Sequence, residues 1–287
     1  MTWTDPGPWA GSPSETYFNT HIRDNLLFLY AARTSLTAGY LYGLVLSNDG
    51  ADPTNDIDIA TGKARDASDT VDMVLASALV KRLDTAWAVG TNQGGLDTGA
   101  VGNNTYHIWL IKRSDTSVVD ALFSLSASAP TMPTNYDYKR RIGSIVRAGG
   151  AIKLFQQDGD TFIWKVPVSD VAATNPGTAA VTRTLTIPTG IRVEAIIGVL
   201  ARGTTNTGNP VDVFVSDLSI TDTAPTTSAF SIAGYNGSAV ENYVGSTIRV
   251  FTNTSAQVRS RVEVSTANTV LYLNSLGWVD TRNRFAP

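Results

Sequence analysis

Twenty-one aspartates stand against only four glutamates (Glu15, Glu194, Glu241 and Glu263), and no lysine follows Lys165. Glutamate and lysine are strong helix formers, whereas Asp, Asn, Gly and Thr favour turns and β-structure. A chain of 287 residues with this bias cannot be built mainly from helices. Most of it is expected in strands joined by turns. Cysteine is absent, which removes disulfides, thiolate metal sites and cysteine nucleophiles together. The fold must therefore be held by apolar burial and hydrogen bonds, and a hydrophobic fraction of 43% suffices for a packed core.

One segment breaks the β bias. Ser12-Pro13-Ser14-Glu15 reads as a capping box with proline at the first helical position. Phe18, Ile22, Leu26 and Leu29 follow at helical spacing, with Arg23, Asp24 and Asn25 on other faces. The pattern predicts an amphipathic helix over about residues 13–34, roughly 30 Å long by helical rise. Such a helix is marginal alone in water. Its apolar stripe must be buried on its own domain, on copies of itself or on a host assembly.

From residue 39 to 168 short apolar runs alternate with turn clusters, which reads as a first β domain. The Asp158-Gly159 turn between Leu154-Phe155 and Phe162-Ile163-Trp164 carries a tight-hairpin signal. Met73 to Leu83 is ambiguous between strand and short helix. Gly90 to Gly102 reads as a long, mobile loop. Residues 169–177, with small residues and Asn175-Pro176, are the best linker candidate, and 178–287 would form a second β domain. The expected class is mainly β: the N-terminal helix, then two β-sandwich or jelly-roll-like domains.

Charge and motif content exclude several function classes. A net charge of −3 removes the basic footprint of nucleic-acid binders. No run approaches the roughly 20 apolar residues of a membrane span, so no membrane insertion is expected. The opening lacks the pattern of a signal peptide. His21 and His107 are the only histidines, which leaves little material for metal sites or His-based triads. No catalytic residue, metal or cofactor is expected.

Four groups remain for testing. Asp158 with Asp160 could serve a glycosidase, but Asp beside Gly is what turns use to bond their own backbone. Asp49, Asp52, Asp56 and Asp58 could offer oxygen ligands to a cation, although their spacing misses the EF-hand pattern. Trp87, Trp109 and Trp164 could form a sugar-stacking platform or simply lie in the core. Tyr136, Tyr138, Arg140 and Arg141 belong to the densest basic and aromatic patch, a candidate contact for a glycan or a neighbouring subunit.

The N-terminal residues carry a resemblance. Trp3-Thr4-Asp5, Trp9-Ala10-Gly11 and the run Thr16 to Leu29, with Asn19, Arg23, Asp24 and Asn25 as its core, resemble the opening segment of tailed-bacteriophage virion structural proteins. The match covers about the first 35 residues. It implies a virion component made in the host cytoplasm, a fibre, spike or head or tail appendage, commonly a trimer. Its anchor would use Trp3, Trp9, Phe18, Asn19, Ile22, Arg23, Asp24, Asn25, Leu26 and Leu29 against portal, tail or capsid proteins. Its β domains would serve assembly or host attachment, with a host surface glycan as one candidate partner. The alternatives are a head decoration or capsid fibre protein, and a carbohydrate-binding receptor protein or depolymerase.

Overall fold

The structure is a computed structural model and describes residues 16, 18–34, 36–203, 212–226, 228–233 and 242–284. The capping box, Trp3 and Trp9 lie outside the described residues. A π-helical turn over Phe18–Arg23 leads into helix α1, Asp24–Thr34. Nineteen strands follow among the described residues. They begin with β1 (Leu41–Gly43), β2 (Leu46–Asn48), β3 (Asp56–Ile59), β4 (Gly62–Arg65), β5 (Asp72–Leu75) and β6 (Leu79–Ala86). Next come β7 (Gln93–Leu96), β8 (Thr105–Arg113), β9 (Val119–Ser124), β10 (Tyr136–Ala148), β11 (Ala151–Ile152), β12 (Phe155–Asp158) and β13 (Thr161–Thr174). The last are β14 (Val181–Thr184), β15 (Glu194–Gly203), β16 (Val213–Ser216), β17 (Asn242–Phe251), β18 (Gln257–Val262) and β19 (Val270–Val279). The mainly β class is as the composition requires.

Four sheets result. An eight-stranded sheet has the order β11-β10-β8-β9-β7-β6-β3-β2, and a five-stranded sheet has β12-β13-β19-β15-β17. Two three-stranded sheets, β1-β4-β5 and β14-β18-β16, complete the body. Pairing is antiparallel except around β7, which runs parallel to both β6 and β9. The ambiguous run from Met73 resolves as two strands, β5 and β6, whose residues alternate between buried and exposed.

The expected mobile loop is corrected by β7. Gln93 to Leu96 form a strand, and Gly94 and Gly95 are buried within it. A Cβ on Gly94 would lie 1.9 Å from the Ala86 carbonyl oxygen, and one on Gly95 would lie 2.6 Å from the Phe123 ring. These glycines answer a need for close strand approach, which sequence reading took for looseness.

The expected linker is displaced as well. Residues 169–174 are the second half of β13, and residues 155–174 pair into the sheet otherwise built from the chain beyond residue 194. Pro167 tolerates this position because the β13–β19 ladder is interrupted between Ile163 and Val168, so its missing N–H breaks no rung of that ladder. The predicted hairpin is present, with Asp158 opposite Thr161 and Gly159 at φ 55°.

One apolar core spans both halves, from Leu41 and Leu46 through Tyr106 and Ile145 to Leu273 and Trp278. At its centre Phe162 stacks on Trp278 at 5.0 Å, and Trp164 lies 4.7 Å from Trp278. Gln157 crosses between sheets, its side-chain oxygen accepting the Leu46 N–H at 2.7 Å.

Candidate functional site

The N-terminal helix turns an unexpected face inward. Asn25 is buried, while His21, Ile22 and Phe28 are half-buried. Leu26, Leu27 and Leu29 face out at 60%, 44% and 50% exposure. A π-helical turn bonds five residues apart rather than four, so the regular spacing from Phe18 onward does not converge on one inward stripe. Asn19 is half-buried on that turn. Arg23 and Asp24 pair with each other at 3.1 Å, and both side chains are exposed. The segment is rooted to the body by its far end: the Leu36 N–H reaches the Asp72 carboxylate at 3.3 Å, and the Gly39 N–H reaches Asp69 Oδ1 at 2.7 Å.

Beside that root lies a recess of about 220 Å³, lined among others by Asp69, Trp109, Arg140, Arg141, Arg282 and Asn283. Strand β10 supplies two of its arginines. Arg140 stands opposite Leu110 and Arg141 opposite Trp109, and a bulge follows between Arg141 and Gly143. Both arginines are buried, at 5% and 3% exposure, although they follow one another on a strand. Arg282 comes from the turn after β19 and is equally buried.

The charges here are unevenly matched. Arg141 makes a bidentate pair with Asp280, with Nη1 2.5 Å from Oδ2 and Nη2 2.8 Å from Oδ1. Burial works against ionisation of Asp280, yet the Arg141 guanidinium together with the Arg282 N–H and charge outweighs it and holds the carboxyl below the usual range. Arg282 Nη2 donates to Asp160 Oδ1 at 2.5 Å, and Arg284 pairs with the same carboxylate. Arg140 differs from these: Nη2 donates to the Arg282 carbonyl at 3.1 Å, while its buried Nε finds no acceptor among the described residues. Burial lowers its pKa, against the more distant pull of Asp69. Among the described residues, no carboxylate lies within ion-pair distance of Arg140.

The patch from Tyr136 to Arg141 is thus dispersed. Tyr136 is buried against Trp87, with ring centroids 5.2 Å apart, and Tyr138 is half-buried against the main core. Only Arg140 and Arg141 reach the recess. The tryptophans form no shared platform. Trp109 is 4% exposed and lies under Lys139, and Trp164 is packed in the main core. Trp87 is half-buried with Lys81 over its ring.

Two further polar groups are structural. His107 Nδ1 lies 2.9 Å from Ser144 Oγ, which also accepts from Arg141 Nη1 at 3.2 Å. Burial, assisted by the Arg141 charge, pushes the His107 pKa down to about 4. Ser144 is fully buried, so its hydroxyl has no access to a substrate. Lys81 and Asp120 pair at 3.2 Å in the interior, and together they hold the backbone of Ala88 and Gly90. Burial lowers the Lys81 pKa, opposed by Asp120.

The aspartate cluster near residue 50 caps turns. Asp49 accepts the N–H groups of Ala51 and Asp52, and Asp52 accepts the N–H and the hydroxyl of Thr54. Asp56 is raised to about 6, first by burial and then by Asp52. Among the described residues, no group of three or more His, Asp or Glu side chains is placed to hold a metal ion. No described helix is long and apolar enough to cross a membrane. Of the glycosidase candidates, Asp158 is exposed on the hairpin while Asp160 is committed to Arg282 and Arg284.

Sequence reading missed Asp280 and Arg282. Their signal was the Asp280-Thr281-Arg282-Asn283-Arg284 run directly after an apolar strand, which gathers charge where a surface turn needs none.

No family model matches the chain, and no curated protein matches it. Among solved structures, a chain of the T13 IBDV viral particle aligns over 85% of this chain and 69% of its own length, at 11% identity and a TM-score of 0.22. A superposition at that score does not establish a shared fold.

Proposed function

We propose that this chain is a non-enzymatic virion structural protein, a fibre or tail-associated subunit of a tailed bacteriophage. It docks to the particle through its N-terminal segment and displays the β body for assembly or host attachment, in a homo-oligomer taken to be a trimer. One observation carries the reading: Leu26, Leu27 and Leu29 stand exposed on a helix whose own body has closed its core without them. Each of these leucines is about half exposed, so completing its burial is worth about 1 kcal/mol, and no other described residue covers them. The resemblance of residues 1–35 to phage openings supports the same role.

Deleting residues 2–35 spares the root at Leu36 and Gly39. The truncated chain is expected to keep its β circular-dichroism spectrum and cooperative melt while failing to join particles. Normal incorporation of the truncated chain overturns the reading.

A further inference from the structure

We propose that the recess beside the root of the N-terminal segment binds a carboxylate, presented as an acidic side chain by the particle protein on which that segment docks. The inference rests on the docking role above. Arg140 is its centre. A guanidinium offers five N–H donors in a planar fork that matches an oxyanion. Here one donor meets a backbone carbonyl, and the buried Nε meets no acceptor among the described residues. A buried cation with no carboxylate in ion-pair distance among the described residues, held only by the more distant Asp69 and Asp66, is costly, and an apolar side chain of similar size usually serves stability better. The neighbouring carboxylates have other partners: Asp280 pairs with Arg141, Asp160 with Arg282 and Arg284, Asp69 accepts the Gly39 N–H, and Asp66 accepts the N–H groups of Thr70 and Val71.

The surroundings fit the same ligand. Arg282 adds a buried Nε and Nη1 that have no acceptor among the described residues. It and Asn283 hold consecutive left-handed backbone angles, φ 55° and 57°. Such conformations are uncommon outside glycine and gather at functional sites. A volume of about 220 Å³ accommodates a carboxylate with its short stem, and Ala67, Trp109 and Ala127 give the stem an apolar wall. Asp69 lines the recess and also accepts the Gly39 N–H. The opening therefore sits where the chain enters from its helix, at the docking end. A ligand met there belongs to the particle rather than to a host surface.

The test begins with thermal unfolding of the full chain in N-acetylglutamate, against chloride at equal ionic strength. A saturable rise in Tm with a Kd on the order of millimolar is expected, the strength of a few charge-assisted bonds. Arg140→Met should melt no lower than the parent without the probe and bind it at least about tenfold more weakly. The absence of a saturable rise, or an unaltered response in Arg140→Met, overturns the site. Glucuronate binding about tenfold tighter than N-acetylglutamate overturns the protein source in favour of a sugar acid. In particles, Arg140→Met with its helix intact should be incorporated several-fold less. If it is incorporated fully while the 2–35 deletion is not, the anchor stands and this inference falls.

Discussion

Replacing Asp56 by asparagine isolates a charge that the fold holds at a cost. Asp56 lies on β3 with one side-chain oxygen buried and unpartnered, near Asp52, Asp49 and Asp84, with only Arg82 in opposition. Its folded pKa of about 6 stands above the ordinary value of 3.8. Between those two values the native state binds more protons than the unfolded state, so stability falls as pH rises through the window. The full shift corresponds to about 3 kcal/mol. Because the side chain is partly exposed, solvent screening reduces this to about 1 kcal/mol. His107 acts in the opposite sense: its folded pKa of about 4 lies below 6.5, so its contribution grows with pH across nearly the same interval. Because His107 is buried and its slope is not screened, the parent should gain stability between pH 4 and 6.5, with Asp56 offsetting only part of the rise. Asp56→Asn removes one slope. Urea unfolding should show it about 1 kcal/mol more stable than the parent at pH 7 and equal to it near pH 3.5. A gain independent of pH, or a loss at pH 7, refutes the assignment.

Two further substitutions probe the interior. Asp120→Ala leaves the buried Lys81 ammonium uncompensated and releases the Gly90 N–H, so it should lower unfolding free energy by about 3–5 kcal/mol. Adding Lys81→Met should recover a substantial part, which denaturant melts of the single and double variants will show. Gly94→Ala forces its new methyl into the Ala86 carbonyl and should cost about 3 kcal/mol in the same assay, with amide exchange rising first in β6 and β7.

Local chemistry was legible wherever it acted alone. The scarcity of Glu and Lys foretold strands, and Asp158-Gly159 foretold its hairpin, because each signal lies within a few residues. Long-range partners were not legible. Arg141 finds Asp280 across 139 positions, and nothing near either residue announces the other. Gly94 and Gly95 read as slack because the Ala86 backbone and the Phe123 ring that demand them lie elsewhere in the chain. The linker was misplaced for a related reason: proline marks a break in local structure, yet an irregular ladder admits one inside a strand. Of the candidate site, Arg140 and Arg141 were singled out as basic residues of a surface patch. Their burial depends on the bulge after Arg141 and on Arg282, neither of which has a local signature.

The position of β19 sets the order in which this protein can become itself. The last strand among the described residues occupies the middle of the five-stranded sheet, between β13 and β15. It also carries Trp278 into the core and leads directly to Asp280. The inner edges of β13 and β15 find their native partner only once residues 270–279 have been synthesised. Prematurely terminated products would expose two adhesive strand edges and lack the aromatic plug, which marks them for aggregation or proteolysis. Only chains that include this strand can close the sheet.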